Sequence, residues 1–559
     1  MFIPNHPAIT TGEKEKRQSS FMGITRQDLT IDIGPIPPMR VKVAVMNHVT
    51  ESSCSIHIAH DVDVVVVGSG AGGVATAVAA ARQGASTVLI EKYGSVGGCM
   101  TTGGWAAGAL DLAPLAPHQF LVAEGESHQT APEAHWISPL GLSEIPTDTH
   151  EYLRGCGLAG EWMARMFDMI ETSGPCPNFS NWAERIRYLF NQMLEEAGVI
   201  QMLQSYACDP IIENKNSVRG VYVQTVSGRC AVRAKVTIDA TANASLSQRA
   251  GAPTVPCNRE PSMNISIGIG GADQVKFDAF MQERTGTTMW DFDQTVRARQ
   301  KTSDWPDPWI DEKVIPNINE FVARRFGAHL NRLRPMGDLF RRAYEENGYE
   351  AVGWVGDIGR VITLWPWPWQ GEAGVVSTRA DIDGDVDTLN ADHMTMVEHD
   401  VRRYVFQTVR FYRKYCPGFE NAYVLYLSPY IGTRGGRAIE AEYIVTKQDL
   451  IDATRHDDVI HQTYDLRVIS NFTDIPFRQL LPKHVEGLLA VGVAAHQKPP
   501  NLRYREVVLT MGQAAGIAAA ICARQDISPR QLEIKQLQRV LHESGVNLGE
   551  PQRVAKLLT

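Results

Sequence analysis

Gly68-Ser69-Gly70-Ala71-Gly72-Gly73 follows the valine-rich run Val62–Val67 and precedes an alanine-rich stretch. Val64–Val67 is short, unbroken and β-branched, the pattern of a parallel strand buried on both faces. Each glycine of the repeat answers a separate need. Gly68 allows a tight turn, Gly70 lets backbone approach a pyrophosphate, and Gly73 lets a helix pack on a strand. A helix predicted over Ala71–Gln83 turns its first amides and its positive dipole end toward that diphosphate, which adds Ser69, Ala71 and Gly72 to the candidate contacts. A second strand, Ser86–Ile90, delivers Glu91 to ribose hydroxyls eighteen residues after Gly73, with Lys92 beside it. The glycine pattern alone is weak; strand, turn, helix, strand and terminal acid together read as a dinucleotide site.

The chain has 559 residues, enough for two or three lobes with full cores. A net charge of −9 without a long basic stripe argues against a nucleic-acid partner. The one basic cluster, Glu13–Arg17, is short and mixed, and reads as a solvated arm. Nine cysteines without a CxxC pair speak against a disulfide scaffold and a zinc site, and fit a reduced, cytoplasmic compartment. Met1–Ser20 lacks an apolar core, so no secretory signal is expected. Val64–Ala81 and Val507–Ala523 are apolar enough to mimic membrane spans. Their glycines and nucleotide context explain them better, and no transmembrane segment is expected.

Residues 1–60 form an N-terminal extension. Within it Arg40–Val45 alternates like a strand after the stiff Gly34-Pro-Ile-Pro-Pro38, so an added edge strand and a homodimer arm are both open readings. Residues 61–254 carry the first part of the nucleotide domain. They include an amphipathic helix over Asn181–Ala197, strand-like stretches at 200–213 and 218–226, and a short buried strand over Val236–Ala240. Residues 255–430 change character, becoming rich in tryptophan, arginine and acid, and read as an inserted lobe. Residues 431–525 return to the first domain through a buried strand over Val485–Val491 and an apolar helix expected to start at Gly512. Residues 526–559 form a C-terminal helical segment.

Further segments carry a family likeness. Gly97-Gly98-Cys99-Met100-Thr101-Thr102-Gly103-Gly104 looks like a loop that wraps a diphosphate and ribityl chain. Ala234–Ala242, with Ala240 and Thr241, is similar to the strand that closes beneath such a cofactor. Ile475–Pro482 and Gly487–Gly492 look like the return to the nucleotide domain. Arg503 falls nine residues before Gly512, and Gly512-Gln513-Ala514-Ala515-Gly516 completes the set. Over residues 61–540 the chain resembles the FAD-dependent oxidoreductases of the glutathione-reductase-like flavoprotein superfamily. The resemblance implies an α/β fold: a discontinuous Rossmann-like FAD-binding domain with an inserted α+β substrate domain, and Ala207 among the cofactor contacts. A helix opening at Gly512 would aim free amides at N1 and the C2 carbonyl of the flavin and stabilise its reduced, negatively charged form.

Departures from the pattern fall on the substrate-facing side. Ala242 replaces a glycine, Asn243-Ala244-Ser245 replaces an acidic pair, and Val493 stands where arginine is common. The loop between Gly492 and Gly512 is about three residues short. In Ile431–Arg437, Gly435 occupies the place of a glutamate. These changes leave the cofactor expectation intact and detach the substrate from the resemblance.

One complete nucleotide fingerprint is present, and Gly268-Ile-Gly-Gly271 lacks the spacing for a second. A redox dithiol is missing, because only Cys99 lies in the relevant loop, where a packing role is expected. No histidine lies between Glu91 and Gly104, so the expected cofactor is noncovalent FAD. Trp365-Pro-Trp-Pro-Trp369 looks like a tryptophan motif of flavin halogenases, but Trp369-Gln370 breaks it; a stiff strand in the core or the pocket wall is expected. Alternating carboxylates over Asp381–Asp387 lack an EF-hand's closing glutamate, so no metal is expected.

His496, four residues beyond Gly492, could take a hydroxyl or amine proton as hydride leaves. Arg434 and Arg437 could anchor a carboxylate or polarise a carbonyl, or tie the lobes together. His399, on a predicted helix, reads as structural. The expected enzyme moves a hydride between a small organic substrate and flavin N5. The alternatives are an NAD(P)H- and oxygen-dependent monooxygenase and a noncatalytic FAD-binding protein.

Overall fold

In the computed structural model the described residues are 53–102, 155–173, 182–256, 262–286, 360–367, 375–382, 387–433, 436–463, 472–495 and 505–559, with 502 and a few positions between 338 and 346. Residues 56–559 cluster as one unit and 1–55 as another. The expected strand Arg40–Val45 lies outside the described residues.

Val64–Val67 are at most 5% exposed, as an all-valine strand end requires. They finish β1 (His57–Val67), which runs into α1 (Ala71–Arg82) and then β2 (Thr87–Ile90). The strand starts before the boundary set at residue 61. Polar His57, His60 and Asp61 hid this, because they extend the ladder at its exposed end, opposite Cys230–Arg233. Two amphipathic helices follow, α2 (Leu158–Ser173) and α3 (Trp182–Glu196). Next come β3 (Ile200–Met202), β4 (Tyr206–Glu213), β5 (Ser217–Thr225) and β6 (Gly228–Asp239). The stretch 200–213 is thus two strands, parted where Gln204 takes φ +51°. Of the expected strand Val236–Ala240, residues 236–239 are the buried end of the much longer β6, and Ala240 follows it.

A short helix α4 (Ser245–Arg249) and strand β7 (Thr254–Pro256) lead to β8 (Ser262–Gly270) and α5 (Gln274–Thr285). Then come β9 (Arg360–Trp367), β10 (Val375–Ile382), the long helix α6 (Ala391–Tyr415), β11 (Tyr423–Leu427), β12 (Gly432–Thr433) and β13 (Arg437–Ile439). The chain ends with α7 (Lys447–Asp452), β14 (Val459–Thr463), β15 (Thr473–Pro476), β16 (Leu488–Ala490), α8 (Arg505–Gln525), α9 (Ile534–Glu543) and α10 (Pro551–Leu558).

The first sheet has the order β3-β2-β1-β6-β5-β4, with β16 also on β6. The β3-β2-β1-β6 and β6-β16 pairs are parallel; β4-β5-β6 is an antiparallel meander. β5 pairs with β6 over Gly228–Arg233, and β16 takes its place over Thr237–Asp239. The second sheet, β11-β8-β10-β9 with β12 on β8, is antiparallel throughout. Trp365 and Trp367 lie on its outer strand β9, where Pro366 costs least in lost ladder hydrogen bonds. The described protein is therefore mixed α/β around a parallel-rich sheet.

α8 packs along α1. A Cβ at Gly512 would overlap the Gly72 carbonyl, and one at Gly516 would overlap the Thr76 carbonyl. Small residues here let two helix backbones touch. α8 is long and apolar enough to cross a membrane, yet its apolar window is wholly buried inside the protein.

β14 places His461 in the core at 1% exposure, where burial pushes its imidazole down to about 3 from 6.5. With the folded value below the unfolded one, the unfolded chain binds the extra proton. Stability is therefore full above about pH 6.5 and falls by about 1.4 kcal/mol per unit below it. Urea unfolding between pH 7 and 5 should show this slope in the wild type, and a shallower one in His461→Leu.

Candidate cofactor site

The glycine turn separates into closed and open positions. Gly68 has φ +100° and lies against the Ala240 carbonyl, so any side chain there is strained. A Cβ on Gly73 would overlap the Gly68 carbonyl. Gly70 has ordinary extended backbone, φ −61° and ψ 176°, and a Cβ there would meet nothing within 4 Å. It caps α1, whose first turn has no side-chain cap and no acidic residue. Uncapped amides with open space before them suit an anion.

Glu91 is 6% exposed, and its carboxylate is already tied into the turn. Oε2 accepts from the Ser69 amide at 2.8 Å and hydroxyl at 2.7 Å, while Oε1 accepts from the Tyr93 amide at 3.0 Å. Oε2 is thereby filled, and Oε1 can still accept from a hydroxyl. Lys92 is exposed, with Nζ 4.8 Å from the centre of the Tyr93 ring.

The loop at 95–102 abuts the turn. The Gly97 amide donates to Ser69 O at 2.7 Å, and Gly70 and Gly97 form an isolated parallel bridge. Gly97 takes φ +103°, and a Cβ on Gly98 would lie 3.0 Å from Gly70 Cα. Gly98–Met100 is one 3-10 turn. Thr101 Oγ1 donates to Val96 O at 2.5 Å, Arg187 donates to Thr101 O at 3.1 Å, and Ser95 and Thr102 share a 2.8 Å hydrogen bond. Met100 is buried in the core and Cys99 is half-buried. β12 lies against this turn, which brings the second sheet to the loop. Gly103 and Gly104 lie outside the described residues.

At the end of β6 the Ala240 amide donates to Val67 O at 2.8 Å. Fully buried Asp239 accepts from the amides and hydroxyls of Thr241 and Ser247, at 2.6–3.0 Å. Ala242 then takes φ +67°, so the conformation that favours glycine persists although the residue has changed. Left-handed backbone costs an alanine about 1–2 kcal/mol, and glycine returns part of this through unfolded-chain entropy. Ala242→Gly should stabilise the apoprotein by about 1 kcal/mol, read as a raised thermal midpoint.

The expectation of a helix opening at Gly512 is corrected: α8 begins at Arg505. Glu506–Met511 continue the helix without a break, and Gly512 serves the α1 contact. Gln513 Oε1 accepts from the Leu158 amide at 2.8 Å, satisfying a donor at the start of α2, and Ala514 is fully buried. The first turn of α8 therefore lies at Arg505, and Gly512-Gln513-Ala514 sit in the helix interior. Gly492, φ +66°, opens the 3-10 turn Gly492–Ala495, and its amide nitrogen lies 3.6 Å from a Cβ built on Gly72. Ala207 is buried in β4 opposite Val223.

Of the acid–base and anion candidates, Arg437 is described. Its guanidinium reaches Asp387 at 3.5 Å and Thr254 at 3.5 Å, a tie between chain segments. His496, Arg434 and Arg503 lie outside the described residues. His399 is exposed on α6. Asp381, near the end of β10, pairs with Ser262 of β8 and Val361 of β9, and residues 383–386 are outside the described residues.

Parallel strands, an uncapped helix start, abutting glycine loops and a buried acid are the parts from which an α/β nucleotide site is built, and a Cβ at Gly70 would meet open space. The chain belongs to the FAD dependent oxidoreductase family, whose model matches residues 63–541. It is thus an enzyme, with FAD as its cofactor. No curated protein matches it. Among solved structures it is similar to a geranylgeranyl bacteriochlorophyll reductase-like protein from Thermoplasma acidophilum, at 13% identity over 89% of this chain and 96% of that one, TM-score 0.35. It is also similar to the flavin-dependent brominase Bmp2, at 13% identity over 86% and 83%, TM-score 0.34. A third is the OxyS anhydrotetracycline hydroxylase from Streptomyces rimosus, at 12% identity over 89% and 76%, TM-score 0.34. No reaction is carried over from them.

Proposed function

We propose that this enzyme moves a hydride between a small organic substrate and noncovalently held FAD, as a dehydrogenase or oxidase. The observation that carries the cofactor position is the open face of Gly70 before the uncapped start of α1, between closed Gly68 and Gly73. In this reading Gly68–Gly73 and the loop 97–104 cradle the diphosphate, and Glu91 accepts from the ribose. Ala240, Thr241 and Gly492 line the rest. Bound FAD supplies a two-electron acceptor at N5. Residues 61–254 and 431–525 form a discontinuous Rossmann-like domain of the glutathione-reductase-like kind, with 255–430 as the inserted α+β substrate domain. His496 takes or gives the proton at the substrate's oxygen or nitrogen, and Arg434 holds a carboxylate or carbonyl. A cytoplasmic location and a dimer arm in residues 1–60 belong to the same reading.

Anaerobic stopped-flow mixing tests it. Bleaching of the flavin band by one class of metabolite, and not by NADH or NADPH, is the expected result; bleaching by the nicotinamides alone would overturn the dehydrogenase reading. His496→Ala should retain FAD and lose turnover, and unchanged turnover would remove His496 from the mechanism.

A further inference from the structure

We infer that Tyr430 is a positioning residue for the adenosine end of the cofactor, acting through Tyr93 on Glu91. The inference rests on the reading that Gly68–Gly73 and Glu91 hold FAD.

Tyr93 and Tyr430 stack with ring centres 4.1 Å apart and planes 10° from parallel. One ring belongs to the segment just after Glu91; the other comes from the approach to the second sheet. Tyr93 matters because its amide donates to Glu91 Oε1 at 3.0 Å, one of three hydrogen bonds that orient this carboxylate. Its carbonyl accepts from the Gln204 amide at 3.0 Å. The backbone of Tyr93 is therefore a strut between the acid and the chain that follows β3.

Tyr430 is held from the other side by α6. Arg402 donates to the carbonyls of Ser428, at 3.3 Å, and Pro429, at 2.9 Å. Glu398, paired with Arg402, accepts from the Ile431 amide at 2.6 Å. One helix thus fixes the backbone on both sides of Tyr430. Burial raises the pKa of both phenols, so two neutral rings face each other. The continuous path runs from α6 through 428–431 and the stacked rings to Tyr93, Glu91 and Ser69. Removing the second ring frees Tyr93 to turn and loosens the amide that orients Glu91.

The test uses full-length protein stripped of FAD, titrated with FAD and separately with ADP, which carries the adenosine and diphosphate without the flavin. Tyr430→Ala should weaken both ligands by the same factor, about three- to tenfold, as expected for a lost aromatic pair. Tyr430→Phe, which keeps the stack, should bind both as the wild type does. Unchanged ADP affinity in Tyr430→Ala would overturn the inference, whether or not FAD affinity falls, because the effect would not pass through Glu91. Equal loss in Tyr430→Phe would also overturn it. Should Tyr430→Ala not fold, Tyr430→Leu keeps the bulk without the flat face and is judged by the same ADP result. Failure of the wild type to bind either ligand would overturn the cofactor-site reading and this inference with it.

Discussion

Gly70→Ala should yield a folded protein that has lost its cofactor. At this position φ is −61° and ψ 176°, a conformation open to alanine, and the added methyl would meet nothing within 4 Å. Stability of the apoprotein should therefore change by no more than about 1 kcal/mol, with the reduced freedom of the unfolded chain favouring the variant. The same methyl projects into the space assigned to the diphosphate, where close backbone approach is the reason for glycine. FAD affinity should fall by about 100-fold or more, about 2.7 kcal/mol. Gly73→Ala is the counterpart. Its methyl would overlap the Gly68 carbonyl, and the third neighbour is Ala240 Cβ at 3.1 Å, so the strand and helix must part. That variant should fail first in folding, with a lower apoprotein melting point or no soluble protein. Thermal midpoints without FAD and titrations with it separate the two effects. A Gly70→Ala protein that binds FAD as tightly as the wild type would put the diphosphate elsewhere.

The two glycines also mark how far the sequence could be read. Val64–Val67, the turn, α1, β2 and Glu91 are local in the chain, and each element's pattern reports on its own surroundings. Gly512 is different. Glycine within an apolar run can begin a helix or let one touch a neighbour, and the choice lies with Gly72 and Ala75, which are distant in the chain. Ala242 shows the reverse case: the residue departs from the family pattern while the backbone keeps the glycine-like conformation. Nothing beside Tyr93 announces Tyr430, because a stacked pair joining two sheets has no spacing rule. The same holds for Arg437, where spacing alone could not separate an anion anchor from the observed tie to Asp387 and Thr254.

Asp474→Ala is expected to destabilise the protein by about 3–5 kcal/mol, the cost of breaking a buried ion pair by removing one partner. Asp474 lies in β15 with no exposed surface. It accepts from the His456 amide at 2.7 Å, from Gln462 Nε2 at 2.9 Å and from both terminal nitrogens of Arg553 on α10, one at 3.0 Å. Arg455 approaches at 3.6 Å. Arg553 also donates to the carbonyls of His456 and Leu548, so one carboxylate joins the β14–β15 ladder to the C-terminal helix. Alanine would leave a partly buried guanidinium and two amide donors, on His456 and Gln462, without this acceptor. Asparagine would preserve the shape but answer Arg553 with a neutral oxygen, and should cost less. Urea unfolding of Asp474→Ala, Arg553→Ala and the double variant decides the mechanism. The double variant should lose less than the two single losses combined, by at least about 1 kcal/mol, because the second substitution removes the charge the first left unmatched. Strict additivity would mean that α10 is held by its packing and that the ion pair contributes nothing of its own.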